Sequence, residues 1–116
     1  LTRFEARNAT GYAHPEQRVS ARDAAKLTLH IIGSYPERFP LFSQREFTWN
    51  NIRQTNRNPL IAMNIGADGM MGGMVQDGGF NLVGTAQQGD RRLVVVVFGA
   101  ENAQMRAADA RRLLEW

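Results

Sequence analysis

The sequence predicts a mixed domain, α/β in class, with helices and strands arranged in the α+β manner. Three observations carry this. Apolar residues recur at helical spacing after Ser20 and again after Asn102. Turn signals at Gln76-Asp77-Gly78-Gly79 and Gln88-Gly89-Asp90 cut the later chain into strand-length runs. Between the last turn and the last helix, Leu93-Val94-Val95-Val96-Val97-Phe98 is an unbroken apolar run of strand length. The expected order is an N-terminal helix, a β-ribbon, a three-stranded antiparallel meander, and a C-terminal helix packed on the sheet.

Residues 1 to 19 read mostly as loop. Ser20 with Asp23 resembles a capping box, and Ala24, Leu27 and Ile31 fall on one helical face, which predicts a helix from about Ser20 to Ile32. Gly33 suits its C-cap, and Pro36 opens a second short turn through Phe39 that Pro40 interrupts. Glu46 to Trp49 and Ile52 to Gln54 flank Asn50-Asn51, a pair that tolerates positive φ and predicts a hairpin. A loop through Asn56, Arg57, Asn58 and Pro59 leads to strands around Gly69 to Met74, Phe80 to Ala86, and Arg91 to Phe98. Asn102 caps the final helix, whose Ala103, Ala107, Ala110 and Leu114 share a face, with Trp116 at or beyond its end.

The valine run is apolar on both faces, the pattern of a central strand. In a meander of this order, however, it has a single neighbour within the chain. An uncovered apolar edge is a pairing hazard, so a partner is expected along Leu93 to Phe98: a second copy, a complementary N-terminal half, or a local rearrangement of this chain.

Composition excludes several classes of function. With 116 residues, 43% hydrophobic and 22% charged, the chain is one domain or a piece of one, and not a disordered segment. No run reaches the roughly 18 apolar residues of a membrane span, and the first residues lack a secretory signal pattern. There is no cysteine, hence no disulfide framework and no thiol nucleophile. Net charge is only +3 and the arginines are interspersed with acids; Arg106, Arg111 and Arg112, the nearest thing to a cluster, read as late-helix cations favoured by the helix dipole. No nucleic-acid partner is expected from this pattern. His14 and His30 lack further ligands at zinc spacing. Met70 and Met74 alternate away from Met71 on a strand, so they do not converge as a soft thioether site for copper.

Motifs then narrow the reading. Asn8-Ala9-Thr10-Gly11, Ser20-Ala21-Arg22-Asp23-Ala24, Phe47-Thr48-Trp49-Asn50, Ile52-Arg53-Gln54, Asn56-Arg57-Asn58-Pro59-Leu60, Asp68-Gly69 and Gly79-Phe80-Asn81-Leu82-Val83-Gly84-Thr85-Ala86 occur in one order along the chain, which closes on Arg111-Arg112-Leu113-Leu114-Glu115-Trp116. Together they resemble the penicillin-binding D-alanyl-D-alanine carboxypeptidases, serine peptidases of family S11 that trim peptidoglycan stem peptides. The resemblance covers only the second half of that catalytic domain. It implies that residues 1–116 form a single partial domain of the serine β-lactamase and penicillin-binding fold, with a periplasmic location. No cofactor and no metal are implied.

The same resemblance locates a damaged motif. Where the family reads Lys-Thr-Gly followed by an aromatic residue, this chain has Met71, Gly72, Gly73 and Met74. Methionine keeps the length of lysine without its charge, and glycine removes the hydroxyl. The family's nucleophile motifs, Ser-x-x-Lys and Ser-x-Asn, cannot be written either. The one lysine, Lys26, has Asp23 three residues before it, and Ser20, Ser34 and Ser43 do not open Ser-x-Asn. A serine hydroxyl without a base in reach is a weak nucleophile.

No catalytic residue is therefore expected in this chain, and whether it takes part in an enzyme depends on what joins it. Arg57 resembles the family arginine that holds the substrate carboxylate, a task suited to a planar, permanently charged fork, and is the candidate for peptidoglycan-peptide binding. The plainer reading is an arginine tethering its own loop. The expected function is a carboxypeptidase-like segment, inactive alone, with a structural or binding role. Two alternatives are half of a split carboxypeptidase and an oligomeric interaction module.

Overall fold

The computed structural model describes all 116 residues, and helix α1 occupies Ala21–Ser34. Ser20 caps it, its hydroxyl accepting from the Asp23 amide at 3.1 Å. The reciprocal half of the expected capping box is missing, because the buried Asp23 carboxylate takes the Arg3 amide at 2.5 Å instead. The Ser20 amide donates to the Arg3 carbonyl at 3.0 Å, and beside this junction strand β1 (Phe4–Glu5) pairs with β2 (Arg18–Val19). The N-terminal segment is thus tied to the helix rather than being loop throughout.

Two expected boundaries move. Gly33 lies inside α1, and Tyr35 is the C-cap, donating its amide to the Ile31 carbonyl at 2.9 Å. Pro40 does not break a turn. It stands in the first turn of a 3-10 helix, Phe39–Ser43, where the missing N–H would have had no intrahelical partner.

The ribbon forms as its turn chemistry dictates. Strands β3 (Glu46–Trp49) and β4 (Ile52–Thr55) pair with Trp49 opposite Ile52, and the joining residues Asn50 and Asn51 have φ of 51° and 63°. Positive φ at both turn positions matches the twist of the flanking strands. A second 3-10 turn, Ile61–Met63, follows and brings the fully buried Leu60 onto the main sheet.

That sheet contains β5 (Ala67–Val75), β6 (Gly79–Gln88) and β7 (Arg91–Ala100), antiparallel in the order β5-β6-β7. Helix α2 (Ala103–Glu115), capped by Asn102 accepting from the Met105 amide at 2.8 Å, packs on β6 and β7. The core lies between them: Leu82, Ala86 and Val95 from the sheet, Ala110 and Leu114 from α2, and Leu60 from the connecting loop. Gly84 is required here, because a Cβ would stand 2.5 Å from Leu60 Cδ1 and 3.1 Å from Val95 Cγ1.

The valine strand is not central within this chain. The middle strand is β6, and β7 forms an edge on which Val95 is the one buried residue and Phe98 is exposed. The run that reads as covered on both faces therefore has one side unpaired. No helix is long and apolar enough to cross a membrane.

Candidate functional site

The damaged motif lies on β5, the opposite edge of the sheet, and its position is set by a polar anchor at the start of the strand. Asp68 accepts from the Thr85 hydroxyl at 2.7 Å and from Arg92 Nη1 at 2.7 Å on each carboxylate oxygen. Thr85 is fully buried, whereas the Asp68 and Arg92 side chains are 27% and 25% exposed. The Arg92 guanidinium also stands over the Phe39 ring at 5.2 Å from its centroid. Gly69 fits into this cluster only because it has no side chain: a Cβ would lie 2.8 Å from Thr85 Oγ1 and 3.3 Å from the Phe39 ring.

Beyond the anchor the strand alternates. Met70 pairs with Gly84 and is buried, whereas Met71, opposite Val83, is 62% exposed. Met74 shares the parity of Met70 but is 60% exposed, so the three thioethers do not converge. At the position of the family lysine there is thus an uncharged side chain in solvent.

Arg106 fills the neighbourhood of Gly72. Its Nη1 lies 3.3 Å from where a Gly72 Cβ would stand, and it makes long hydrogen bonds to the carbonyls of Gly73 at 3.5 Å and Asn81 at 3.4 Å. Its guanidinium sits over the Phe80 ring at 5.5 Å, and its Nε is buried without a hydrogen-bond partner. This corrects the expectation of a late-helix cation. Arg106 belongs to the start of α2, where its amide donates to the Asn102 carbonyl, and a positive charge there opposes the helix dipole. Contact with β5 and β6 explains its place better. Arg111 and Arg112 do lie late, pairing with Glu115 at 2.9 Å and Asp109 at 3.4 Å.

Arg57 occupies the loop before the 3-10 turn and is exposed, with no hydrogen bond or ion pair. It does not tether the loop. That work falls to its neighbours: Asn56 Nδ2 donates to the carbonyls of Phe42 at 3.0 Å and Gln44 at 2.9 Å, and Asn58 Oδ1 accepts from the Leu60 amide at 3.0 Å. No polar contact joins Arg57 to Met71, Gly72, Gly73 or Met74. Two of the three serines have structural partners: Ser20 caps α1, and the Ser43 hydroxyl donates to the Pro40 carbonyl at 3.0 Å, while Ser34 closes α1. No serine hydroxyl is hydrogen-bonded to Lys26, His14 or His30. His14 Nδ1 accepts from the Glu16 amide at 3.1 Å.

Comparison with known proteins gives a consistent result. The family model described as D-alanyl-D-alanine carboxypeptidase matches residues 1–102. The D-alanyl-D-alanine carboxypeptidase DacD of Escherichia coli is 42% identical over 118 residues, covering 99% of this chain and 29% of that protein. Among solved structures, penicillin binding protein 5 of Haemophilus influenzae superposes with a TM-score of 0.92 at 36% identity, over 97% of this chain and 33% of its own. Penicillin binding protein 6B of Escherichia coli gives 0.83 at 43% identity, over 88% and 32%. The chain thus spans about a third or less of the length of these three relatives.

Proposed function

Because the chain belongs to the D-alanyl-D-alanine carboxypeptidase family, we propose that it is a segment released from that family's acyl-transfer chemistry, serving a structural or binding role and hydrolysing nothing by itself. One observation carries the reading. On the motif strand, Met71 is uncharged and exposed, and Gly72 offers no hydroxyl, while no serine in the chain is hydrogen-bonded to a base. Acyl transfer needs an activated nucleophile and preorganised donors for the developing oxyanion. Arg57, exposed and unpaired, is the one residue of the family's binding set free to receive a peptide carboxylate.

The experiment is incubation of the chain with a peptide ending in D-Ala-D-Ala, followed by assay of released D-alanine. No release above a buffer control is expected. Release that is lost in Arg57→Ala would contradict the proposal. The same resemblance supports a periplasmic location, which fractionation tests.

A second reading is favoured by the unpaired edge of β7. There a complementary N-terminal half, or a second copy, would add a strand and cover Val96 to Phe98. In the first case, mixing the two halves restores penicillin acylation. In the second, the mass in solution is that of an oligomer.

A further inference from the structure

Two Asp-Gly pairs occur in the chain, Asp68-Gly69 and Asp77-Gly78, and no asparagine precedes a glycine. Such a pair is chemically special, because glycine has no side chain to keep its own amide nitrogen away from the preceding aspartate carboxyl. The fold treats the two pairs oppositely.

Asp68-Gly69 is locked. Its carboxylate accepts from the Thr85 hydroxyl and from Arg92, and Gly69 is paired with Thr85 inside the sheet. Asp77-Gly78 lies in the turn between β5 and β6, where the Asp77 carboxylate makes no hydrogen bond and no ion pair. The Gly78 amide donates to the Val75 carbonyl at 3.2 Å, at the long end of the usual range, so little has to open for it to be freed. Glycine at 78 is imposed by packing, since a Cβ there would collide with Val75 Cγ2. The turn thus requires the residue that makes its aspartate reactive.

We propose that Asp77-Gly78 is a modification site, at which Asp77 converts to isoaspartate and unfastens the far end of the motif strand. The Gly78 nitrogen attacks Asp77 Cγ and closes a cyclic imide, while the amide proton and the hydroxyl of the protonated carboxyl leave as one water. A water then adds to the imide carbonyl that was the main-chain carbonyl of Asp77 and breaks its bond to nitrogen. The chain now runs through Cβ and Cγ, the old main-chain carbonyl is a free carboxylate, and one water has been lost and one gained. The reaction is intramolecular apart from water, so it needs no surface left open to a partner.

The product carries an extra main-chain carbon in the link, residues 76 to 78, that fixes the β5–β6 register. That register sets Val75 opposite Gly79, Met74 opposite Phe80 and Gly73 opposite Asn81. Arg106 holds the same end through the carbonyls of Gly73 and Asn81, and its grip loosens as the pairing frays. This inference is independent of the proposed function, because no catalytic step is invoked.

The test is prolonged incubation of the folded 116-residue chain at physiological temperature, probed with isoaspartyl methyltransferase and S-adenosylmethionine and mapped by peptide. Methyl acceptor should accumulate at Asp77 about tenfold or more faster than at Asp68, and in urea the two rates should converge, because only folding protects Asp68. Asp77→Glu, which would need a larger ring, removes the acceptor and leaves the circular dichroism spectrum unchanged. In the purified isoaspartyl form, the amides of Met74 and Phe80 exchange faster than in the parent. Equal accumulation at both pairs in the folded chain, uptake that survives Asp77→Glu, or no uptake overturns the proposal. Unchanged exchange at Met74 and Phe80 overturns the link to the motif strand.

Discussion

Replacing Asp68 with alanine should destabilise the fold by about 3 kcal/mol, and the pattern of its coupling is more informative than the value. Three hydrogen bonds end on this carboxylate, one from the buried Thr85 hydroxyl and two from Arg92. Leaving a buried hydroxyl unsatisfied costs about 1–3 kcal/mol. The ion pair contributes less than a deeply buried one, because both side chains are about one-quarter exposed and water screens them. In a Thr85→Val background the orphaned hydroxyl no longer exists, so Asp68→Ala there should cost about 1–2 kcal/mol less than in the parent. Urea titration followed by circular dichroism reads these differences as midpoint shifts on the order of 1 M, given slopes of about 1–3 kcal/mol per M. If Asp68→Ala costs under about 0.5 kcal/mol, or is strictly additive with Thr85→Val, Asp68 is not the anchor of the motif strand.

Other consequences follow from close packing and capping. Gly84→Ala places a methyl group within 2.5 Å of Leu60 Cδ1, so it should destabilise by about 1–3 kcal/mol in the same titration, and a companion Leu60→Ala should partly relieve that strain. Ser20→Ala removes the cap of α1 and should cost about 1 kcal/mol, with faster amide exchange at Asp23. Arg57→Ala should leave stability within about 0.5 kcal/mol, because the loop is held by Asn56 and Asn58; a larger loss would give Arg57 the tethering role its contacts lack.

Local chemistry was readable in the sequence wherever it was sufficient. Asn50-Asn51 dictated its turn because two residues tolerant of positive φ between strand-like runs leave few alternatives, and Ser20 and Asn102 capped the helices they precede. Boundaries that depend on tertiary contacts were not readable in the same way. Gly33 was absorbed into α1, and the two-residue pairing of β1 with β2 carries no periodic signal. The valine strand reads as suited to coverage on both sides, yet the meander order already left it a single neighbour within the chain, and β7 does lie at an edge.

At the candidate site, resemblance placed Met71 and Gly72 on a strand, and they lie on β5, which the structure puts at one edge of the sheet. The contacts that shape that edge were not legible, since Asp68, Thr85 and Arg92 are brought together only by the register of three strands. Arg106 offered one usable signal: its place four residues after the Asn102 cap makes a dipole role unfavourable and calls for another partner.

The measurement that bears most directly on the released-motif reading is intact mass of the chain after exposure to a fluorescent penicillin. An unmodified mass and no fluorescent band are predicted, both for the parent and for Met71→Lys combined with Gly72→Thr, because neither supplies an activated serine. A stoichiometric covalent adduct on the parent chain would contradict the account.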